Sequence, residues 1–303
     1  MTMEKTQNID LSLITVNFNG VSDTLEMIDS VKANLTSIRY EIIVVDNGSR
    51  INEAKTISEK FPDIVVLRSD KNLGFAGGNN IGINVATGRY IMLINNDTLV
   101  PDDSLSSLVS YMDSNPNAGA VSPKIVFYKP DNTIQFAGYT ELSNITLRNN
   151  LIGFGEQDRG QYSVATETPY CHGAAMVLRK VVIDKVGLMP EIFFLYYEEI
   201  DWCTKISRAG FKQYFYPNSV IIHKESSSTG QGSPLRNYYL VRNRLLYAWR
   251  NRKGMTLILS ILYQILIAVP KSLILNIISG RIDLISSTFK GIKDFVYLKE
   301  KLK

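Results

Sequence analysis

Residues 91–100, IMLINNDTLV, begin as a run of strand formers and stop at three polar side chains, Asn95, Asn96 and Asp97. Asn and Asp are poor strand residues and good turn residues, so the stretch alone marks only the end of a buried strand. Working outward, three more β-branched runs precede it: LSLITVNFN from Leu11, EIIVVDN from Glu41 and IVVLRS from Ile64. Helix-like stretches at 24–37, 51–60 and 78–87 lie between the four runs. This alternation predicts βαβ units, hence an α/β fold whose mostly parallel central sheet carries helices on both faces.

In such sheets ligands bind at the carboxyl ends of the strands. Those ends hold Asn17 and Asn19, then Asp46 and Asn47, then Asn95 to Asp97. One polar strand end is routine, but three together would build a polar rim. The glycine-rich stretch NLGFAGGNNIG, residues 72–82, adds backbone able to approach a ligand and to open a helix toward an anion. Its spacing fits neither GxGxxG nor GxxxxGK[ST], and it follows the third strand rather than the first. A nicotinamide enzyme and a P-loop NTPase are therefore disfavoured.

A chain of 303 residues that is 45% hydrophobic can bury a large core. Cys171 and Cys203 are its only cysteines, with no CxxC pair, so neither a disulfide framework nor a structural zinc site is indicated. The opening MTMEKTQNID lacks the apolar stretch of a secretory signal, and a cytoplasmic location is expected.

The net charge of +4 hides an asymmetry: residues 236–303 carry 13 Lys and Arg against 3 Asp and Glu, a net of +10, and the rest nets −6. Such a tail meets something anionic. Its long aliphatic runs, MTLILSILYQILIAV and KSLILNIISG, suit lipid better than nucleic acid. A helix over 255–269 would be about 22 Å long, short of the roughly 30 Å hydrocarbon core, with Pro270 and Lys271 interrupting it. Together with the basic, aromatic flank RNRLLYAWRNRK, this predicts a segment lying in the membrane interface, on the inner face of the cell membrane. A buried helix pair is the competing reading. The expected division is a catalytic domain over 1–235 and a basic, apolar helical region over 236–303.

VNFNG, VVDNGS, NLGFAGGNNIG and LINNDTLV, followed by HGAAMVLRK and YYEEIDWCTKISRAGF, resemble family 2 glycosyltransferases of the nucleotide-diphospho-sugar (GT-A) fold, nearest to bacterial rhamnosyl- and galactofuranosyl-type enzymes. The likeness covers roughly residues 10–250. It implies an inverting transfer of a sugar from a nucleotide-diphosphate donor, dTDP-rhamnose or a UDP-sugar, to a hydroxyl of a polyprenyl-linked glycan. A nucleotidyltransferase or a non-catalytic sugar-nucleotide-binding scaffold is the alternative. The first loop, VNFNG, lacks the basic residues usual in nucleotidyltransferases.

Carried over by position, the resemblance assigns Asp46 to the donor's pyrimidine ring, with Val16, Asn17 and Phe18 around that base. Asn72, Gly74 and Gly77 fall near ribose and diphosphate. Asn96 and Asp97 match the acidic metal signature, in which the first carboxylate is replaced here by Asn95. Asp97 and His223 imply a Mg²⁺ or Mn²⁺ site that neutralises the leaving diphosphate, and Asn96 and Asp97 fall beside the donor. Glu199 matches the general base, a place more often held by aspartate, and the start of its helix is expected to keep it ionised. Glu198, Asp201 and Trp202 are assigned to the acceptor. His172 receives no role.

Overall fold

The computed structural model describes residues 9–225 and 232–301, so the opening residues 1–8 and the SSSTGQ stretch after Glu225 lie outside the described residues. Its first half follows the sequence rhythm: β1 (Leu11–Asn17), α1 (Val21–Asn34), β2 (Tyr40–Asn47), α2 (Glu53–Lys60), β3 (Val65–Ser69), α3 (Gly74–Val85) and β4 (Tyr90–Ile94). β5 (Thr98–Leu99), α4 (Ser104–Ser114), β6 (Ala118–Phe127), β7 (Ile134–Phe136), β8 (Thr166–Glu167), β9 (Ala175–Arg179) and α5 (Lys180–Val186) follow. Then come α6 (Glu198–Arg208), β10 (Lys212–His223), α7 (Pro234–Asn251), α8 (Gly254–Tyr263), α9 (Val269–Ile278) and α10 (Ile282–Lys301).

The strand order is β3-β2-β1-β4-β9-β6-β10-β5. The expected parallel pairing holds for β3, β2, β1 and β4, and again for β6 with β10. β9 enters antiparallel between β4 and β6. It arrives from a long irregular connection instead of a helical crossover, which frees it from the parallel rule. Each face is covered. Met27, Ile28 and Val31 of α1 and Leu105, Leu108 and Met112 of α4 bury one side against Leu11, Leu13, Ile42 and Val44. On the other, Ile83 of α3, Trp202 and Ile206 of α6, and Leu245 and Leu246 of α7 pack against Ile14, Ile43, Ile91 and Leu93.

The glycine-rich stretch is mostly helix, and its glycines serve packing. α3 begins at Gly74, four residues earlier than the periodicity suggests. A Cβ at Gly82 would stand 2.4 Å from Ile14 Cγ2, and one at Gly78 2.8 Å from Val16 Cγ1, so these glycines let α3 lie directly on β1.

Two features of the C-terminal region bear on its expected division. α7 straddles the 235/236 boundary and places Leu245, Leu246, Tyr247 and Ala248 in the same core as Trp202. Its basic residues, read as a membrane flank, are largely used inside the protein. Arg242 is buried against backbone carbonyls, Arg244 donates to the Tyr197 hydroxyl at 2.9 Å, and Arg250 pairs with Asp201. Pro270 does not interrupt the apolar segment. Gln264–Ala268 form a π turn whose bond from Val269 N–H to Gln264 C=O shifts the ladder, and Pro270 falls in the first turn of α9. Gly254–Ile278 is thus one run of 25 residues, long and apolar enough to cross a membrane by length and composition. At about 37 Å of helix, this run is longer than the roughly 30 Å hydrocarbon core.

Candidate active site

A cavity of about 380 Å³ opens where the strands of the parallel half end. Val16 and Phe18 leave β1 on its wall, Asn72, Gly74 and Phe75 form the entry to α3, and Asn95, Asn96 and Asp97 follow β4. The sequence brings these together as expected. Phe194, Tyr196, Glu225 and Arg236 complete the wall and were not foreseen. Arg236, whose guanidinium stands 5.9 Å over the Tyr196 ring, was hidden in the charge count of the tail.

Asp46, Asn17 and Gly77 are absent from this wall. Side chains alternate along a strand, and Asn17 and Asp46 are register partners that point together toward α2. Asp46 is fully buried and accepts from Asn17 Nδ2 at 3.3 Å, from Ser49 N–H at 3.4 Å and from Ala54 N–H at 3.2 Å, with Arg68 Nη1 at 3.4 Å. Asn17 also donates to Glu53 at 2.7 Å. Asp46 thus does not line this cavity, and its bonds organise the start of α2. Asn47, one residue on, turns to the cavity side beside Val16 and holds the next loop, donating to Asn72 Oδ1 and Gly74 C=O and accepting from Leu73 N–H. Alternation along VVDN was the signal that could have found it. Gly77 faces Leu73 and Glu191 rather than the cavity. Gly74 has φ +74° and a Cβ there would meet Phe194 O at 2.2 Å, so it permits both the turn and the contact with the opposite wall.

β5 pairs antiparallel with β10, setting His223 opposite Thr98 and beside Asp97. His223 Nε2 lies 3.1 Å from Asp97 Oδ1, and its Nδ1 donates to Gln135 Oε1 at 2.7 Å. In the neutral ring Nε2 is then a lone pair beside a carboxylate oxygen, with Asn95 Nδ2 3.5 Å away as a long donor to it, and two such acceptors side by side suit a cation. Cis ligands with bonds of about 2.1 Å on an octahedral cation stand about 3.0 Å apart, so this pair fits Mg²⁺ or Mn²⁺. No group of three or more His, Cys, Asp or Glu side chains placed to hold a metal occurs among the described residues. The protein side of such a site is therefore a pair, to be completed by phosphate oxygens or water. Asn96 Nδ2 instead bonds Gly20 C=O and Thr24 Oγ1, bracing the turn after β1.

The far wall is a strained loop. Phe194, Tyr196 and Tyr197 have φ of 65°, 67° and 77°, a region non-glycine residues seldom adopt. Asn243 of α7, itself fully buried, donates its amide to the carbonyls of Phe193, Leu195 and Tyr196 at 2.7–2.9 Å, and Arg242 adds a bond to Ile192 C=O at 3.1 Å. Neither residue carried a signal in the sequence. Asn243→Ala would leave these buried carbonyls short of donors, and is expected to lower stability by about 2–3 kcal/mol in chemical denaturation and to weaken nucleotide binding with it.

That loop launches α6. Glu198 is 3% exposed, its Oε2 has no hydrogen-bond partner, and burial, then the neighbouring Glu199, pushes its pKa well above the carboxylate range. Glu199 is half-buried, and burial raises its pKa to about 7. The expected low value is corrected: loss of water outweighs the dipole of the helix start. Burial and the neighbouring carboxylate both disfavour ionisation of Glu198, so Glu199 is the readier of the two to carry the charge. Asp201 is buried in bonds to Arg250 and to Asn251 Nδ2, and Trp202 is fully buried with its indole N–H on Gly187 C=O. Both are buried within the packing of α6. His172 stacks parallel to Tyr139, and burial and then the nearby His223 push its pKa down to about 3.

The family model "Glycosyl transferase family 2" matches residues 12–187. A hexosyltransferase of low-salt glycan biosynthesis from Haloferax volcanii is 27% identical over 212 residues, covering 68% of this chain and 64% of that protein. A dTDP-rhamnosyl transferase from Shigella flexneri is 25% identical over 304 residues, covering 94% and 96%. The chain spans 23% of the length of a further relative from Sinorhizobium fredii, as well as less than two thirds of the Haloferax protein. Among solved structures, a mannosyltransferase from Pyrobaculum calidifontis in complex with GDP-Man and Mn²⁺ superposes with TM-score 0.59 at 17% identity, covering 95% of this chain and 88% of that one. At that identity the likeness is one of fold.

Proposed function

This chain belongs to glycosyl transferase family 2, and from that premise we propose that it moves a sugar from a nucleotide-diphosphate donor to a hydroxyl of a lipid-linked glycan. Membership of the family displaces the nucleotidyltransferase and scaffold alternatives. The observation that carries the reading is one cavity on which a metal-competent pair, Asp97 and His223, meets the loop that leads to Glu199. The near end-to-end match to the rhamnosyl transferase favours dTDP-rhamnose, with UDP-sugars next. Assembly of a cell-surface polysaccharide on a polyprenyl carrier, at the cytoplasmic face of the membrane, fits the exposed apolar run Gly254–Ile278.

In this mechanism the nucleotide lies along Val16, Phe18 and Asn72, with Phe75 and Phe194 shielding it from water. A Mg²⁺ or Mn²⁺ ion held by Asp97 and His223 would supply positive charge for the departing diphosphate. Gln135 keeps Nε2 of His223 turned toward that place. Glu199 takes the proton of the acceptor hydroxyl as its oxygen attacks the anomeric carbon from the face opposite the leaving group, which inverts the centre. Thermal-shift titration against a panel of sugar nucleotides, with and without Mn²⁺, should show the largest shift with dTDP-rhamnose plus metal. Transfer of radiolabel from that donor to a polyprenyl-diphosphate-linked sugar completes the test. A protein stabilised by no sugar nucleotide would refute the reading.

A further inference from the structure

A second cavity, of about 200 Å³, lies away from the donor site between α7, the π turn, α9 and α10. Two arginines line it, exposed Arg148 from the loop after Leu147 and half-buried Arg244 from α7, and its lining contains no carboxylate. Neither arginine has a carboxylate within 4.0 Å among the described residues, whereas Arg250 and Arg281 nearby are each paired with an aspartate. Two like charges around one small cavity repel, and the fold has supplied no counter-charge there. An anion is the missing partner, and a guanidinium fork suits phosphate oxygens. Ser272 adds a hydroxyl to the same lining.

The roof of the cavity indicates what carries the phosphate. Gln264, Ala268 and Val269 face inward, whereas Leu262, Leu266, Ile267 and Ile274 on the same helical run are 47–65% exposed. A phosphate in the cavity therefore sits directly behind an exposed apolar surface, the arrangement an amphiphile with an anionic head requires. The cavity is also wired to the catalytic loop. Arg244 Nε donates to the Tyr197 hydroxyl, which donates in turn to Leu147 C=O beside Arg148, and Tyr197 immediately precedes Glu198 and Glu199. We propose that Arg148 and Arg244 form a phosphate site that receives the diphosphate of a lipid-borne acceptor, with its chain along the apolar face of Gly254–Ile278. This rests on the lipid-linked acceptor reading above.

The test uses the full chain, in flotation with phosphatidylcholine vesicles that carry a small fraction of polyprenyl diphosphate, phosphatidylglycerol, or neither. Wild type should float best with polyprenyl diphosphate, and inorganic pyrophosphate should compete. Arg148→Ala and Arg244→Gln should each weaken that binding by about tenfold or more, the usual weight of a charge-assisted bond, whereas Arg148→Lys should retain part of it. Affinity for a nucleoside diphosphate, measured alongside, should stay at the wild-type value in Arg148→Ala and so report intact folding. Equal flotation of wild type and both charge-removing variants would overturn the site while leaving the acceptor reading standing. Equal response to phosphatidylglycerol and polyprenyl diphosphate would replace it with a general attraction to acidic membranes. A wild type that binds no diphosphate vesicle, yet transfers sugar to a soluble glycan, would sink both the site and the lipid-linked acceptor.

Discussion

Glu199→Gln is expected to lower sugar transfer by roughly 10²–10⁴-fold while nucleotide affinity stays unchanged, because it keeps shape and hydrogen bonding but removes the proton acceptor. Glu198→Gln is the control one residue away. Its carboxyl is buried and its pKa is pushed well above the carboxylate range, so an amide of nearly the same size alters little of what the site senses, and transfer should fall only a few-fold. The pH profile separates the two roles. With a pKa of about 7, Glu199 is mostly protonated at pH 6, and kcat/KM should rise through neutrality to a plateau above it. That rise should vanish in Glu199→Gln and persist in Glu198→Gln. Stability moves the other way. The folded state holds a proton on Glu199 that the unfolded chain has already released, so native stability falls as pH climbs from the ordinary carboxylate range through 7. Removing the carboxylate relieves that loss, and Glu199→Gln should be the more stable protein at pH 8 in urea titration. An inactive Glu198→Gln beside an active Glu199→Gln would move the base by one position.

How much of this was legible beforehand depends on whether the deciding contacts are local. Strand runs and helix faces are local patterns, so β1 to β4 and their crossovers could be read from hydrophobic period alone, and so could the meeting of Asn95–Asp97 with Val16, Phe18 and Asn72 at the strand ends. Asn17 and Asp46 share the strand face away from the cavity, which a run of polar strand ends reveals only once the alternation of side chains is followed. The clamp of Asn243 on residues 193–196 joins segments 50 residues apart through carbonyls, which leave no trace in side-chain pattern. The basic residues of α7 were legible as charge but not as contacts, since a count cannot distinguish an arginine on carbonyls from one in solvent. Continuity through Pro270 depends on a π turn, a local shift of the hydrogen-bond ladder that composition does not announce.

Asp97→Ala should abolish the metal dependence of nucleotide binding and reduce transfer by roughly 10²–10³-fold, the scale seen when a preorganised electrostatic stabiliser is removed. The pair Asp97 and His223 supplies one formal charge between two ligands, and that charge belongs to Asp97. Without it a neutral imidazole remains, a competent partner for Mn²⁺ and a weak one for Mg²⁺. The variant's residual activity should therefore prefer Mn²⁺ over Mg²⁺ more strongly than wild type does. Gln135→Leu probes the same pair from behind: loss of the acceptor at Nδ1 lets His223 change tautomer, and metal affinity should fall about 10-fold or more with the carboxylate still present. Asp46→Ala makes the contrast. Its carboxylate joins α2 to β1 away from the cavity, so it should lower the unfolding midpoint and leave the metal dependence of binding intact. Calorimetric titration of a nucleoside diphosphate with and without Mn²⁺ reads all three variants. Should Asp97→Ala keep a wild-type response to Mn²⁺, the 3.1 Å approach of Nε2 to Oδ1 is a protonated ion pair that braces β10 against β5, and the diphosphate must find its positive charge elsewhere, with Arg236 on the cavity wall the candidate.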